Sequence, residues 1–306
     1  MKKILITISC GVALFFQSCK EVPPVINFGS QHVSDTTYVL SAIPAAQPHN
    51  VLIEEFTGEG CSNCPAAHTQ LDQLGDANPG RLNVISIYDT SNSPIHLPPE
   101  GAAFDLRSAD ASAITLSTIY TTNQTTSYGN LPGGGVDRVP VSPGTTTWLG
   151  ASAWSGLISS RLTIADSINL DISSTYASGI ATITAKVTYL YRTASLQNLS
   201  VAIVEDSIID YQEKPFGIVD TAYVFKDVLV SYVTPLPFGD PLLDTIATKE
   251  AGRFVQRVYN YTVPTAHRKG SVNTSHCRVI AFVHRPSNGN ADFQVLQSQQ
   301  TKLMGP

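Results

Sequence analysis

The segment Glu54-Glu55-Phe56-Thr57-Gly58-Glu59-Gly60-Cys61-Ser62-Asn63-Cys64-Pro65 constrains the fold more than any other part of the chain. It sets a Cys-x-x-Cys between an apolar, β-prone run, Val51 to Phe56, and an amphipathic stretch from about Cys61 to Leu74. In that stretch Cys64, Ala67, Leu71 and Leu74 recur at helical spacing, so they share one stripe facing a core. Cys64 is thereby expected to be buried. Cys61 falls at the helix N-terminus, where unpaired backbone N–H groups and the positive end of the dipole favour a thiolate. The pair reads as a redox couple, with Cys61 the exposed nucleophile and Cys64 the resolving thiol, reacting through a mixed disulfide. The competing reading is a structural disulfide in a fold reused for binding.

The N-terminus says where such chemistry would operate. Lys2 and Lys3 precede an apolar run, Ile4 to Phe16, too short to span a bilayer comfortably, followed by Gln17-Ser18-Cys19. This resembles a bacterial lipobox, with Phe16 where Leu is usual, and implies a signal peptide over residues 1–18 and lipidation of Cys19. The acyl chains would then be the membrane anchor. Residues 19–34, with Pro23-Pro24 and Gly29, read as a tether. Of five cysteines, Cys10 leaves with the signal and Cys19 carries lipid, so Cys61, Cys64 and Cys277 remain in an oxidising compartment. Cys61 and Cys64 pair with each other or, transiently, with a partner. Cys277 alternates with Val279, Ala281 and Val283, the pattern of a buried, inert thiol.

The formal charge is -5, and removing Lys2 and Lys3 from 19 basic residues leaves 17 - 24 = -7. With no Lys/Arg cluster after the signal, nucleic acid is excluded as a partner. Charged residues are 14% against 42% hydrophobic, so a folded chain is expected.

Along the chain the period of the apolar pattern changes once. Thr36 to Ile43 reads as an edge strand, Leu82 to Tyr88 as a strand covered on both faces, and Gly101 to Tyr120 and Trp148 to Leu162 as helices. In the last of these, Ala151, Trp154, Ile158 and Leu162 form the stripe. Strand, helix, strand, helix, strand, helix closes an α/β domain over residues 35–163. From Ser167 the period is two: Ile180 to Tyr191, Leu199 to Val204, Arg253 to Val263 and Cys277 to Val283 predict an antiparallel β-sandwich over residues 164–306.

Three segments together carry a resemblance: Val51-Leu52-Ile53-Glu54-Glu55-Phe56-Thr57-Gly58 with Cys61-x-x-Cys64-Pro65-x-x-His68, Val201 to Asp206, and Val279 to His284. They resemble the envelope lipoproteins known as outer membrane proteins of twenty-eight kilodaltons, of the Omp type. The resemblance implies a thioredoxin-like α/β domain followed by an all-β sandwich, lipid-anchored at the outer membrane. Similarity to thioredoxin itself implies that Glu55, six residues before Cys61, is the buried acid that moves the proton of the resolving cysteine. It also implies that Leu131-Pro132 is the cis-proline dipeptide beside the disulfide. Gly60 stands where an aromatic residue is frequent, and Ser62-Asn63 replaces Gly-Pro, so no reduction potential carries over.

Strand alternation sends Glu54 and Glu55 to opposite faces, and one is expected to point inward, with its pKa raised by desolvation. Leu131, Pro132 and Gly133, beside two further glycines, suggest a place where a partner's backbone approaches closely. His68 is one turn from Cys64, either a satisfied flanking histidine or a third ligand in a thiolate metal site; no metal is committed to. Pro65 excludes the Cys-x-x-Cys-His haem pattern, and no cofactor is implied. The expected function is thiol–disulfide exchange with envelope proteins. The alternative is a surface binding or adhesion module, its β-sandwich taking a protein or glycan and its Cys pair serving as a staple.

Overall fold

The computed structural model describes residues 31–120, 131–140, 147–286 and 292–305. The expected signal peptide, Cys19 and most of the tether lie outside them. The described strands are β1 (Gln31–Val39), β2 (Val51–Thr57), β3 (Leu82–Tyr88), β4 (Gly133–Val136), β5 (Leu149–Gly150), β6 (Ile168–Ala177), β7 (Ile180–Tyr189) and β8 (Gln197–Glu205). They continue with β9 (Ile208–Lys214), β10 (Ile218–Phe225), β11 (Val228–Tyr232), β12 (Asp240–Leu242), β13 (Arg253–Thr262), β14 (Cys277–His284) and β15 (Val295–Lys302). Three α-helices accompany them: α1 (Cys64–Ala77), α2 (Ala109–Thr115) and α3 (Trp154–Arg161). The described residues are predominantly β, with one mixed sheet and two antiparallel sheets, one of four strands and one of two.

The mixed sheet runs β15-β14-β8-β11-β3-β2-β4-β5, with β12 on the end of β8. It takes strands from either side of residue 163, because β11 pairs in parallel with β3 and antiparallel with β8. β2 and β3 are parallel, joined by α1, and every residue of both is buried. Such strands need cover on both faces. On one face Val51, Ile53, Val84 and Val136 pack on Ala67 and Leu71 of α1 and Trp154 and Ile158 of α3. On the other, Leu52, Phe56, Ile85 and Ile87 pack with Ala111 and Ile114 of α2 and with Ala202, Val204, Ile280 and Phe282. The second sheet, β1-β13-β7-β6, packs its inner residues on Leu199, Val201, Ile203, Val279, Ala281 and Val283, and Cys277 is buried among them. β9 and β10 form a separate hairpin.

The predicted edge strand at 36–43 therefore pairs with β13 of the second sheet, running antiparallel over residues 31–39. The predicted helix at 101–120 shrinks to α2. Residues before it are held out of helical geometry by carboxylates: the N–H groups of Ala103 and Phe104 donate to Asp210, and that of Leu106 to Glu59 at 3.0 Å. Ser108 then caps α2 by accepting from the Ala111 N–H at 3.1 Å. The helix predicted from Trp148 begins instead at Trp154, behind β5 and a short 3-10 turn.

Candidate functional site

Cys61 and Cys64 are joined by a disulfide, with their Cα atoms 5.4 Å apart. α1 starts at Cys64, which is fully buried with Ala67 and Leu71 on the predicted stripe. Cys61 lies in the turn before it, its carbonyl accepting from the Cys64 N–H at 3.2 Å. It is thus outside the helix, where the dipole acts more weakly than expected.

Cys61 is only 3% exposed, so it is not the open sulfur that the sequence leads one to expect. Two distant segments cover it. The 3-10 turn Pro94–His96 lies flat on the loop: a Cβ on Gly58 would sit 2.1 Å from the Ile95 carbonyl oxygen, and one on Gly60 2.2 Å from that of Pro94. Gly58 and Gly60 are there because nothing larger fits. From the other side, the Gln212 side chain of β9 donates to the carbonyls of Gly58 and Cys61 at 3.3 and 3.1 Å. The Glu213 N–H donates to the Glu59 carbonyl at 2.9 Å.

Both glutamates of β2 are buried, not one, since both strand faces are covered. Glu55 lies on the α1 face. Burial pushes its carboxyl up to about 8, with Asp227 and Asp72 adding to the shift and a hydrogen bond from Ser86 at 3.1 Å opposing it. His68 Nε2 stands 3.3 Å from Glu55 Oε1, at ion-pair distance but outside hydrogen-bond geometry, which leaves Oε1 unpartnered. Burial also lowers His68 to about 4, so at neutral pH both groups are neutral. Its ring nitrogens meet the Thr57 hydroxyl at 3.0 Å and the Tyr223 hydroxyl at 2.6 Å. With both sulfurs in the disulfide, Cys61, Cys64 and His68 do not form a ligand set. Glu59, two residues before Cys61, is likewise pushed up to about 8 by burial.

Glu54 points to the opposite face into a network that the sequence reading missed. Its carboxylate accepts twice from the Arg138 guanidinium, at 2.7 Å each, and from the Tyr120 and Tyr232 hydroxyls at 2.5 and 3.0 Å. Arg138 and Asp137 both have left-handed backbones, with φ of 51° and 46°. Asp137 binds the Leu52 N–H, His49 and Arg161. The signal for this was an Asp-Arg pair one residue after three glycines, with Val136 between.

Leu131-Pro132 is a cis peptide leading into β4, whose Gly133 pairs with Phe56 at the end of β2 that feeds the Cys-x-x-Cys loop. Leu131 and Pro132 are partly buried. Gly133 is not an open docking point. A Cβ there would sit 2.4 Å from the Trp148 ring, on Gly134 2.4 Å from the Glu54 carbonyl oxygen, and on Gly135 2.6 Å from the Tyr120 hydroxyl. The glycines admit internal neighbours. Cys277 is buried, and burial raises its thiol to about 12, as suits an inert group. Among the described residues no helix is long and apolar enough to cross a membrane.

No family model and no curated protein matches the chain. Among solved structures it is similar to HBP35 of Porphyromonas gingivalis, at TM-score 0.62 and 15% identity, covering 85% of this chain and 77% of that one. That likeness concerns the fold. A second match, protein AGR_C_4864 from Agrobacterium tumefaciens, has TM-score 0.44 and 12% identity over 84% of this chain and 95% of that one.

Proposed function

We propose that the chain is a lipid-anchored envelope protein in which a thioredoxin-like unit, joined to a β-sandwich, exchanges disulfides with protein partners through Cys61 and Cys64. The observation that carries this reading is the Cys61–Cys64 bond at the β2–α1 junction, one helical turn from His68, which stands 3.3 Å from the buried, proton-holding Glu55. A strand, Cys-x-x-Cys and helix in that order, with β4 entering antiparallel to β2 through a cis proline, support the thioredoxin-like assignment. The anchor rests on Lys2-Lys3, the apolar run and Cys19.

In the exchange, the Cys61 thiolate of the reduced protein attacks a partner disulfide, forming a mixed disulfide and expelling one partner thiolate. The neutral Glu55 first gives up its proton, its carboxylate then takes the proton of Cys64, and Cys64 attacks Cys61 Sγ, which closes the internal disulfide and releases the second partner thiolate. Two electrons pass from the dithiol to the partner. The turn Pro94–His96 and the Gln212 side chain must move aside before Cys61 can be reached.

A second reading is favoured by the burial of both sulfurs, 3% and 0% exposed: a structural staple in a binding module. Trapping separates the two. Cys64→Ser in intact envelopes is expected to accumulate adducts that dithiothreitol releases. Absence of adducts, while Cys61 still reacts with an alkylating agent, would leave only the staple.

A further inference from the structure

Glu55 forms part of a cavity wall but is only 1% exposed, with Oε1 buried and unpartnered, and the exchange proposed above needs its proton to come and go. Facing it are Ser86 and Tyr88 from β3, His68 and Asp72 from α1, and Tyr223, Lys226 and Asp227 from β10 and the residues after it. Neither nearby cation is available to the carboxyl. Lys226 Nζ is paired with Asp72 at 2.9 Å, and Asp227 is paired with Arg278. What remains within reach of Oε1 is His68 Nε2 at 3.3 Å, and His68 Nδ1 is in turn 2.6 Å from the Tyr223 hydroxyl. Both residues, together with Glu55 itself, line an open cavity of about 250 Å³, room for several waters.

We infer that His68 and Tyr223 form a proton relay joining the Glu55 carboxyl to solvent, and so act as positioning residues for the resolving step at Cys64. The relay rests on the exchange reading above. Before Cys64 attacks Cys61 Sγ the Glu55 carboxyl loses its own proton through the relay, and the carboxylate so formed takes the thiol proton. From Glu55 Oε1 the proton moves to His68 Nε2, Nδ1 releases one to the Tyr223 oxygen, and the Tyr223 hydroxyl delivers one to cavity water. No atom is gained or lost by the relay. Burial keeps His68 near 4, so it accepts the proton only in passing, whereas Glu55, near 8, holds its proton at neutral pH until the relay drains it. The 3.3 Å approach is long for a hydrogen bond, as proton-transfer contacts often are before the reacting complex forms. Thr57, 3.0 Å from the same nitrogen, holds the ring in place meanwhile.

The test uses the full chain with ¹³C-labelled glutamate carboxyls, first in the disulfide form. Across its titration the wild-type Glu55 signal is expected to be one averaged resonance. In His68→Gln and in Tyr223→Phe, which keeps the ring and its packing, it should split into separate protonated and ionised resonances. Averaging preserved in both variants overturns the relay whether or not the thiols exchange. The reduced protein is then mixed with an aromatic disulfide that releases one coloured thiolate when Cys61 attacks and a second when Cys64 resolves. The first release should be unchanged in both variants. The second should slow by roughly 10²-fold, the low end for general acid–base catalysis, and recover in His68→Gly with added imidazole. An unchanged second release overturns the relay. A wild-type protein with no first release overturns the exchange reading, and the carboxyl signal then decides the relay alone.

Discussion

At the scale of single residues, Glu55 and Glu59 are buried carboxyls that hold a proton far more tightly than a free glutamate. Each is held up to about 8 by burial, against about 4.3 for a free glutamate. Between those values the unfolded chain loses the proton and the folded chain keeps it, so the folded state binds more protons and stability falls as pH rises. Each group contributes a slope of at most about 1.4 kcal/mol per pH unit. Glu55→Gln is expected to halve the combined slope between about pH 5 and pH 8 and to raise the urea midpoint at pH 7.5. A variant with the wild-type slope would show that Glu55 ionises freely when folded. The sequence made Glu55 legible in part: alternation along β2 sends Glu54 and Glu55 to opposite faces without saying which faces α1, and the place six residues before Cys61 implies a buried acid through the resemblance to thioredoxin. The burial of Cys61 was not legible. Its cover comes from Pro94–His96 and Gln212, and no local pattern ties those residues to residue 61.

At the scale of elements, β2, β3, β7, β13 and β14 were readable because apolar or alternating runs fix them without help from elsewhere. The helix at 101–120 was not, since side chains from β9 and the loop at Glu59 hold its first half extended. The β9–β10 hairpin was missed as well: most of β10 is exposed despite its apolar residues, and the hairpin enters a small core with Tyr88, Leu106 and Val228 only through Ile208, Tyr223 and Phe225 near its two ends. β4 carries the sharpest element-level prediction. Gly134→Ala sets a Cβ 2.4 Å from the Glu54 carbonyl oxygen, a backbone atom that cannot swing away. It should destabilise the protein by roughly 1–3 kcal/mol or more. Gly156→Ala, where no atom lies within 4 Å of the new Cβ, should be neutral or stabilising in chemical denaturation. Equal stabilities of the two variants would contradict the packing described for β4.

At the scale of the whole molecule, burial alternates along β7 and β13 but β8 is buried throughout, and the main sheet crosses residue 163 through β11. A buried polar cluster crosses it too. His49 is 2.7 Å from Asp137 and 2.6 Å from Asp166, and Asp166 also meets Gln297 of β15. Burial alone would lower the His49 pKa, but the two carboxylates outweigh it and raise it to about 9. The imidazolium thus contributes stability that is complete below about pH 6.5 and lost as pH rises through 9. His49→Ala should destabilise by roughly 3–5 kcal/mol at pH 6 and by less at pH 10, since it leaves the buried Asp166 without an ion-pair partner while Asp137 keeps Arg161. A fragment ending at residue 163 lacks the β11 partner of β3 and is expected to give no cooperative thermal transition, whereas the full chain gives one. The central claim is tested most directly by the reduction potential of the Cys61–Cys64 pair in a glutathione or dithiothreitol buffer. Exchange chemistry predicts a value above about -300 mV, and a value below that would mark the pair as a structural staple.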